Sequence, residues 1–487
     1  MRSRYLGSYS INRIFFAINH RAVPDASAVP DCRPGRASII PSRSQVSTRV
    51  FRSGPLGQPR ARRIHLAALG CKVSRVEAGA AASRLDGTLG PGRDLVLVHA
   101  CTVTARADRD ARRLLRRLRR EHPGARVVVS GCLAQRDPEG LARLDEVDLV
   151  VGHSRLDALP ELLAQREAGL LPTKTAWAAP GEGALPLWAK DPDRTRAFLK
   201  VQDGCDRRCA FCVVPALRGA ERSARPEDVE AELRRLADAG VPEVVLTGVH
   251  LAAFGRDRGT DLLSLLLRLE ADPPGCRVRL SSLEPMEAGD ALVAHVSSSR
   301  VVVPHLHLPL QSGSDRVLRR MRRGLTAARF RALARRALAG NPRLHLATDL
   351  IVGFPGEEED DFLATRDLAE ETGFGSLHVF PYSPRPGTAA ARSAPVPADV
   401  VARRARLLRR LDERARASFA ARAVGSVADV VTLRGGRGLT DNYLDVDLCG
   451  LEPAPVPGSR LRILLQTVDG SLVAAFPPAS PIAAPPC

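Results

Sequence analysis

Three cysteines share one short run, Val201-Gln-Asp-Gly-Cys-Asp-Arg-Arg-Cys-Ala-Phe-Cys-Val-Val-Pro-Ala-Leu-Arg-Gly219, at Cys205, Cys209 and Cys212. The C-x3-C-x2-C spacing lets three thiolates of one loop hold three corners of a cubane iron–sulfur cluster. No fourth cysteine lies nearby, so one iron keeps an open position for a substrate or cofactor, unlike a sealed four-thiolate electron carrier. The competing chemistry is a structural zinc loop. Zinc normally takes four ligands, often from two paired knuckles, and the chain offers no second C-x2-C pair.

A second set of cysteines emerges once the elements that carry them are placed. Ile64–Leu69, Leu95–His99, Arg126–Ser130 and Asp148–Val151 read as strands. A helix is expected from about Val73 to Leu85, and another over Thr104–Glu121, where Ala107, Ala111, Leu114, Leu115 and Leu118 make an apolar stripe that stops at Pro123-Gly124. Alternating strands and helices predict a parallel sheet. Cys71, Cys101 and Cys132 each follow one of the first three strands. The C-terminal strand ends of such a sheet share one edge, where ligands bind, so these thiolates are expected to converge. Core burial of a free cysteine accounts for one of them. Three at the same topological position predict a second cluster, again with an open iron.

A further β/α series opens near Arg196. Its strands are expected at Ala197–Val201, Glu243–Thr247, Arg277–Ser281, His305–Leu308, Leu346–Val352 and Leu377–Phe380, with helices at Pro226–Ala239, Asp315–Met321 and Glu358–Thr372. Six parallel strands alternating with helices suit a partial (β/α)6 barrel, whose active site lies at the C-terminal strand ends. The C-x3-C-x2-C loop follows the first of these strands. Val401–Ala423 reads as a basic helix, and Val427–Leu433, Tyr443–Leu448, Arg460–Thr467 and Ser471–Phe476 as strands of a small β-barrel. The fold class is therefore α/β, in five stretches: an extension over 1–63, a parallel α/β cluster domain over 64–165, an Ala/Pro/Gly-rich linker over 166–193, the partial barrel over 194–423 and the β domain over 424–487.

The chain has 487 residues and a net charge of +18, which favours a polyanionic partner. Residues 1–63 carry twelve arginines against Asp25 and Asp31, a net of +10, so +8 remains for the other 424. Lysine occurs only at Lys72, Lys174, Lys190 and Lys200, so 68 of the 72 basic residues are arginine; base composition of the genome and phosphate binding are both open as reasons. No apolar run is long enough to span a membrane. Ten cysteines in a chain this long do not form a disulfide framework, which points to a reducing cytoplasm. The Arg/Ser/Pro-rich start fits an unstructured extension better than a transit peptide. Cys32, Cys276, Cys449 and Cys487 lack partner spacing and read as non-ligands. The arginine run over 112–120 suits a solvated helix face or a grip on phosphates. His305 and His307 alternate on a strand and suit core or hydrogen-bonding roles rather than a metal site.

With these residues in hand, the chain resembles the methylthiotransferases of the radical S-adenosylmethionine superfamily from about Ile64 to at least Val446. The matching motifs are Leu69-Gly-Cys-Lys-Val73, Cys101-Thr-Val-Thr104, Ser130-Gly-Cys-Leu-Ala-Gln135, Arg194-Thr-Arg-Ala-Phe-Leu-Lys-Val-Gln-Asp-Gly-Cys205, Leu246-Thr-Gly-Val-His250, His305-Leu-His-Leu-Pro-Leu-Gln-Ser-Gly-Ser-Asp315, Asp349-Leu-Ile-Val-Gly-Phe-Pro-Gly-Glu357 and His378-Val-Phe-Pro-Tyr-Ser383. Gly-Cys-Lys-Val, Cys-Thr-Val-Thr with Ala107-Asp108-Arg109, and Leu439-Thr-Asp-Asn-Tyr443 resemble the branch acting on N6-threonylcarbamoyladenosine in tRNA. His99 and Ser74 stand where the family usually has asparagine, so the surroundings of the first cluster differ, and 477–487 is unlike a usual barrel end.

The resemblance implies a cluster domain, a radical barrel and a TRAM-like RNA-binding β domain. It also implies two 4Fe-4S clusters, on Cys71, Cys101 and Cys132 and on Cys205, Cys209 and Cys212, with S-adenosylmethionine at the second. Reductive cleavage there yields a deoxyadenosyl radical that takes hydrogen from C2 of the adenine at position 37 of tRNA, and methylated sulfur at the first cluster is inserted. An electron donor of flavodoxin or ferredoxin type and a sulfur source are further partners. Thr247, Gly248 and Val249 are candidates for the methionine amino group, or form a tight turn. Glu284 and Gln311 are candidates for ribose or carboxylate. Gly353-Phe-Pro-Gly356 is a candidate adenine seat, or simply a turn. The alternatives are methylthiolation of isopentenyladenosine or of a ribosomal-protein aspartate, and a non-catalytic iron–sulfur RNA-binding protein.

Overall fold

Valine, leucine and alanine fill the runs that end in Cys71, Cys101 and Cys132, and these runs form a sheet buried on both faces. The computed structural model describes residues 47–52, 63–88, 92–181, 185, 188–189, 195–468 and 470–476. Strand β1 (Ser47–Arg52) pairs antiparallel with β2 (Arg63–Leu69). Beyond β2 come β3 (Leu95–Ala100), β4 (Arg126–Gly131), β5 (Leu149–Gly152) and β6 (Thr175–Ala176), each parallel to its neighbour. Helix α1 (Lys72–Thr88) puts Ala78, Ala81, Ala82 and Leu85 on one face, against Ile64, Leu66 and Leu97. Helix α2 (Ala105–Glu121) puts four of the five residues of its expected stripe, Ala111, Leu114, Leu115 and Leu118, with Val96, Val98 and Val127, while Ala107 stays half-buried outside that core. Thr104 caps α2 by accepting from the Ala107 amide at 3.1 Å.

Three expectations change. The extension is not wholly unstructured, because β1 lies within it: β-branched Thr48 and Val50 favour a strand, and β2 would otherwise be a bare edge. The linker contributes β6 to the first sheet and β7 (Trp188–Ala189) to the next, antiparallel to β8 (Ala197–Asp203). The β domain also has a fifth strand, Arg437–Thr440, beyond the four expected. Residues 1–46 and 477–487, with Cys32 and Cys487, lie outside the described residues.

The barrel strands are β8, β10 (Glu243–Gly248), β11 (Arg277–Leu280), β12 (His305–His307), β13 (His345–Val352) and β14 (Ser376–Pro381), with short β9 (Arg222–Ser223) paired to β8. They run in two parallel groups, β8-β10-β11 and β12-β13-β14, bridged between Val278 and Val302. The six-strand expectation therefore holds as an unclosed barrel. Helix α1 seats against the β8–β10 group, with Val76 and Ala80 on Phe198 and Val245. The strands β15 (Val427–Thr432), β16 (Arg437–Thr440), β17 (Asp445–Asp447), β18 (Arg460–Val468) and β19 (Ser471–Ala475) close a small barrel in the order β15-β16-β17-β19-β18. Gly438 and the flanking Gly-Gly pair masked β16 in the sequence.

Buried charge joins the barrel to the β domain. Fully buried Glu243 accepts from Arg196 at 2.8 Å, Arg277 at 2.7 Å and Arg279 at 2.8 and 3.0 Å. Arg277 and Arg279 also donate to the backbone carbonyls of Asp429, Leu439, Thr440 and Asp441. The planar guanidinium fork suits such a joint. Beside it, His345 is buried against Phe419 and Tyr443. Burial, with Arg416, Arg279, His378 and His307 nearby, lowers its pKa to about 3. The native ring stays neutral while the unfolded one protonates below its usual 6.5, so this contribution is complete above that value and falls as pH drops toward 3. At about pH 5 the loss is about 2 kcal/mol. Thermal midpoints of cluster-free protein should fall with acidification, less steeply for His345→Asn; equal slopes would show that the ring is not held neutral.

Candidate functional site

Each triad is assembled by strand ends. Cys101 follows β3, its amide donating to the Leu69 carbonyl at 3.0 Å, and this brings the ends of β2 and β3 together. Burial raises the Cys101 thiol pKa, and proximity to Cys71 and Cys132 raises it further. Cys132 is buried and Cys71 exposed. The expected convergence of Cys71, Cys101 and Cys132 is thus present. On the barrel, Cys205 is anchored by its amide to the Gly219 carbonyl at 3.0 Å, and the Cys212 amide donates to the Cys209 carbonyl at 3.1 Å. Burial pushes the Cys212 thiol up to about 12, with Cys209 and Cys205 adding to the effect. Thiols that raise one another are poor lone anions; a cationic iron core among them favours the thiolates instead. Both triads therefore fit an iron–sulfur cluster by their donor chemistry.

The residues expected around the second triad also gather at the C-terminal strand ends. Thr247 and Gly248 end β10, with Val249 next. Gly248 is required by close approach: a Cβ there would lie 2.8 Å from Gln202 Oε1. Gln202, which the sequence reading passed over, accepts from the His250 amide at 2.7 Å and donates to the Asp203 and Gly204 carbonyls at 2.9 Å, tying the cysteine loop to the end of β10. Glu284 Oε2 pairs with Arg323 at 2.6 Å, whereas buried Glu284 Oε1 makes no hydrogen bond and has only the longer ion pair with Arg207 at 3.5 Å. That unsatisfied acceptor suits the hydroxyls or ammonium of S-adenosylmethionine. Gln311 holds a left-handed φ of 75°, fixed by its amide to the Asp349 carbonyl at 2.8 Å and by the Ile351 amide to its own carbonyl at 2.9 Å. Such strain in a bulky residue collects at functional sites. Gly353 has a packing reason of its own, since a Cβ there would overlap Val401.

The two triads are linked by a buried four-charge cluster. Glu77 of α1 accepts from Lys200 at 2.7 Å and from both Arg218 terminal nitrogens at 2.8 and 2.9 Å. Asp203 accepts from Lys200 at 2.7 Å and from Arg218 at 2.9 Å. Burial opposes ionisation of Glu77, but Arg218 and Lys200 outweigh it and hold the carboxyl well below its usual value. His99 joins through Nε2, 3.2 Å from Glu77, and Ser74 Oγ lies 3.5 Å from Cys71 Sγ, so both departures from asparagine touch the first triad's surroundings. Arg385 adds a second tie, donating to Thr102 at 2.9 Å and Asp108 at 2.7 Å.

Inside the barrel, His307 Nε2 and His378 Nδ1 lie 2.9 and 3.1 Å from Asp349 Oδ1, and Ser282 Oγ lies 2.8 Å from His307 Nδ1. His305 stacks on Tyr443 with centroids 4.5 Å apart. Cys276 is buried in the barrel core and Cys449 is exposed. Five of the six arginines over 112–120 face acids within 4.0 Å, at Asp137, Asp110, Glu146, Glu121 and Asp148, which marks a self-neutralised helix face.

The radical SAM superfamily model matches residues 199–369, and the model of the uncharacterized protein family UPF0004 matches 63–152. The chain is 36% identical to the threonylcarbamoyladenosine tRNA methylthiotransferase MtaB of Aquifex aeolicus over 76% of this chain and 91% of that protein. It is 35% identical to MtaB of Bacillus subtilis over 79% and 90%. The tRNA-2-methylthio-N(6)-dimethylallyladenosine synthase of Corynebacterium efficiens is 37% identical over 70% of this chain and 68% of its own. With cysteine triads at both strand-end edges and near-complete coverage of two such relatives, the chain belongs to the radical S-adenosylmethionine tRNA methylthiotransferase family.

Proposed function

We propose that this protein converts N6-threonylcarbamoyladenosine at position 37 of tRNA to its 2-methylthio derivative. The observation that carries this choice of base is coverage: the chain spans 91% and 90% of the two threonylcarbamoyladenosine relatives, against 68% of the dimethylallyladenosine relative. Cys71, Cys101 and Cys132 would hold one four-iron cluster and Cys205, Cys209 and Cys212 the other, each with one open iron. When bound, the clusters and S-adenosylmethionine supply the radical and the sulfur, which an inert C–H between two ring nitrogens requires.

The chain's own residues align and enclose these groups. Thr247, Gly248 and Val249 would present backbone groups to the methionine end, and Glu284 and Gln311 would take its polar groups. Glu77, Lys200, Asp203 and Arg218 fix the spacing of the two cysteine edges. An unstacked anticodon-loop base is able to enter between those edges, whereas a base in a helix is not. The reaction also needs an external electron donor of flavodoxin or ferredoxin type and a sulfur source. No helix among the described residues is long and apolar enough to cross a membrane, and the unbridged cysteines suit a reducing cytoplasm.

Mass spectrometry of tRNA nucleosides and ribosomal proteins from a deletion strain tests this. Loss of 2-methylthio-N6-threonylcarbamoyladenosine, restored by the gene, is the expected result. Loss confined to the isopentenyl product or to a methylthiolated ribosomal aspartate would overturn the choice of substrate.

A further inference from the structure

His378 and Phe380 share one face of β14, because successive strand residues point to opposite sides. Leu377 and Val379, on the other face, pack in the core that holds the barrel's helices, so His378 and Phe380 turn toward the barrel interior. Their register partners on β13 are Asp349 and Ile351. Ile351 packs in the apolar cluster that contains Ala210 and Phe211, the two residues between Cys209 and Cys212. Beyond Phe380, Ser383 Oγ accepts from the Ala105 amide at 3.0 Å, next to the Cys101–Thr104 run. This stretch of β14 therefore lies between the two triads: its neighbour on β13 touches one cysteine loop, and its end docks beside the other.

The His378 ring is aimed. Asp349 Oδ1 lies 3.1 Å from His378 Nδ1 and 2.9 Å from His307 Nε2. Burial opposes ionisation of Asp349, but the two imidazoles outweigh it and hold the carboxyl well below its usual value. A carboxylate only accepts, so both ring nitrogens donate to it. His307 Nδ1 then accepts from Ser282 Oγ at 2.8 Å. The rings of His307 and His378 meet edge-on, with centroids 5.0 Å apart. Ser282, His307 and Asp349 thus fix one imidazole, whose Nε2 has no hydrogen-bond partner among the described residues. The His378 side chain stays 41% exposed, and Phe380 stays 43% exposed with no ring contact among the described residues. An uncovered aromatic ring beside an oriented, unpartnered nitrogen matches a flat heterocycle, which has an apolar face and polar edges.

We infer that Phe380 and His378 form the receptor for the target base, with the Phe380 ring stacked on the face of the adenine and His378 Nε2 accepting a hydrogen bond at its edge; this rests on the tRNA substrate proposed above. A neutral imidazole that carries its proton on Nδ1 offers a lone pair at Nε2, and the N6–H of the substituted adenine is a matching donor. A base drawn out of the anticodon loop loses its stacking neighbours, and an aromatic side chain replaces them. The position also serves the reaction. C2 of the base must reach groups held at both triads, and β14 is tied to both. Asp349, His307 and Ser282 act through His378 and are positioning residues.

The test uses cluster-loaded full-length protein and two anticodon stem-loop RNAs that differ only at position 37, which bears threonylcarbamoyladenosine or an abasic ribose. Kd is measured without S-adenosylmethionine. Wild type should favour the base-bearing RNA by roughly 5- to 100-fold, the factor expected for one base stacked on an aromatic side chain. Phe380→Ala should lose most of this preference by weakening the base-bearing RNA alone, whereas Phe380→Tyr should keep it. His378→Ala should lose roughly 2- to 10-fold on the same RNA and nothing on the abasic one, the factor for one neutral hydrogen bond. Asp349→Ala should match His378→Ala, and the double variant should lose no more than either alone; additive losses would overturn the positioning role. If Phe380→Ala fails to load iron, Phe380→Leu, which keeps apolar bulk without a ring, takes its place. Equal wild-type binding of the two RNAs, or a Phe380→Ala that weakens both alike, would overturn the receptor. A wild type that prefers the base-bearing RNA yet methylthiolates only isopentenyladenosine keeps the receptor and overturns the substrate proposal.

Discussion

Changing Cys101 to alanine will reduce methylthio transfer to background and halve the iron content while leaving reductive cleavage of S-adenosylmethionine in place. Cys101 is the buried centre of its triad, next to Cys71 and Cys132 and apart from the barrel loop that carries Cys205, Cys209 and Cys212. If each triad holds a cubane, reconstituted wild type carries about eight irons and the variant about four. Deoxyadenosine formation should persist, because the second triad and Thr247, Gly248, Val249, Glu284 and Gln311 are untouched. The reciprocal change at Cys209 should remove both cleavage and transfer and leave the first cluster's iron. A Cys101 variant that still methylthiolates tRNA would show that the first triad is structural. A wild type with the iron of one cubane would remove the second cluster altogether.

Glu77→Ala should destabilise the protein by about 3–5 kcal/mol, the usual cost of breaking a buried charge pair from one side. In wild type, two anions, Glu77 and Asp203, balance two cations, Lys200 and Arg218, all buried. Removing Glu77 leaves both cations facing Asp203 alone, between the cluster domain and the barrel. Glu77→Gln should cost less, because the amide still accepts hydrogen bonds although the charge is gone. The pH dependence differs from that of His345. Because the Glu77 pKa is depressed on folding, its contribution is complete above the unfolded carboxyl value and is lost only as pH falls through the lower folded one. Acidification to about pH 5 should therefore leave this joint intact while the His345 contribution declines. Thermal midpoints of the three proteins at neutral pH and at about pH 5 check both statements; an unchanged midpoint for Glu77→Ala would mean that water already reaches the network.

Local pattern determined much of this protein. The spacing of Cys205, Cys209 and Cys212 fixes them on one loop wherever that loop lies. Apolar runs followed by cysteine placed Cys71, Cys101 and Cys132 at successive strand ends, and a parallel sheet brings such ends to one edge. The stripe of α2 and the six barrel strands were legible for the same reason: a side chain's face follows from a period of 3.6 or 2. What tertiary structure decided was the pairing of groups that no period relates. Glu77 meets Lys200 across 123 residues and Arg218 across 141. Glu243 takes Arg196 across 47 residues, Arg277 across 34 and Arg279 across 36. The short strands β1, β7 and β16 belong to the same class, since each is stabilised by an edge supplied from another segment rather than by its own pattern. Hydrophobic periodicity is written locally because burial depends on the face of one element. The partners of a buried charge are not, because burial and low dielectric arise only after distant segments have packed.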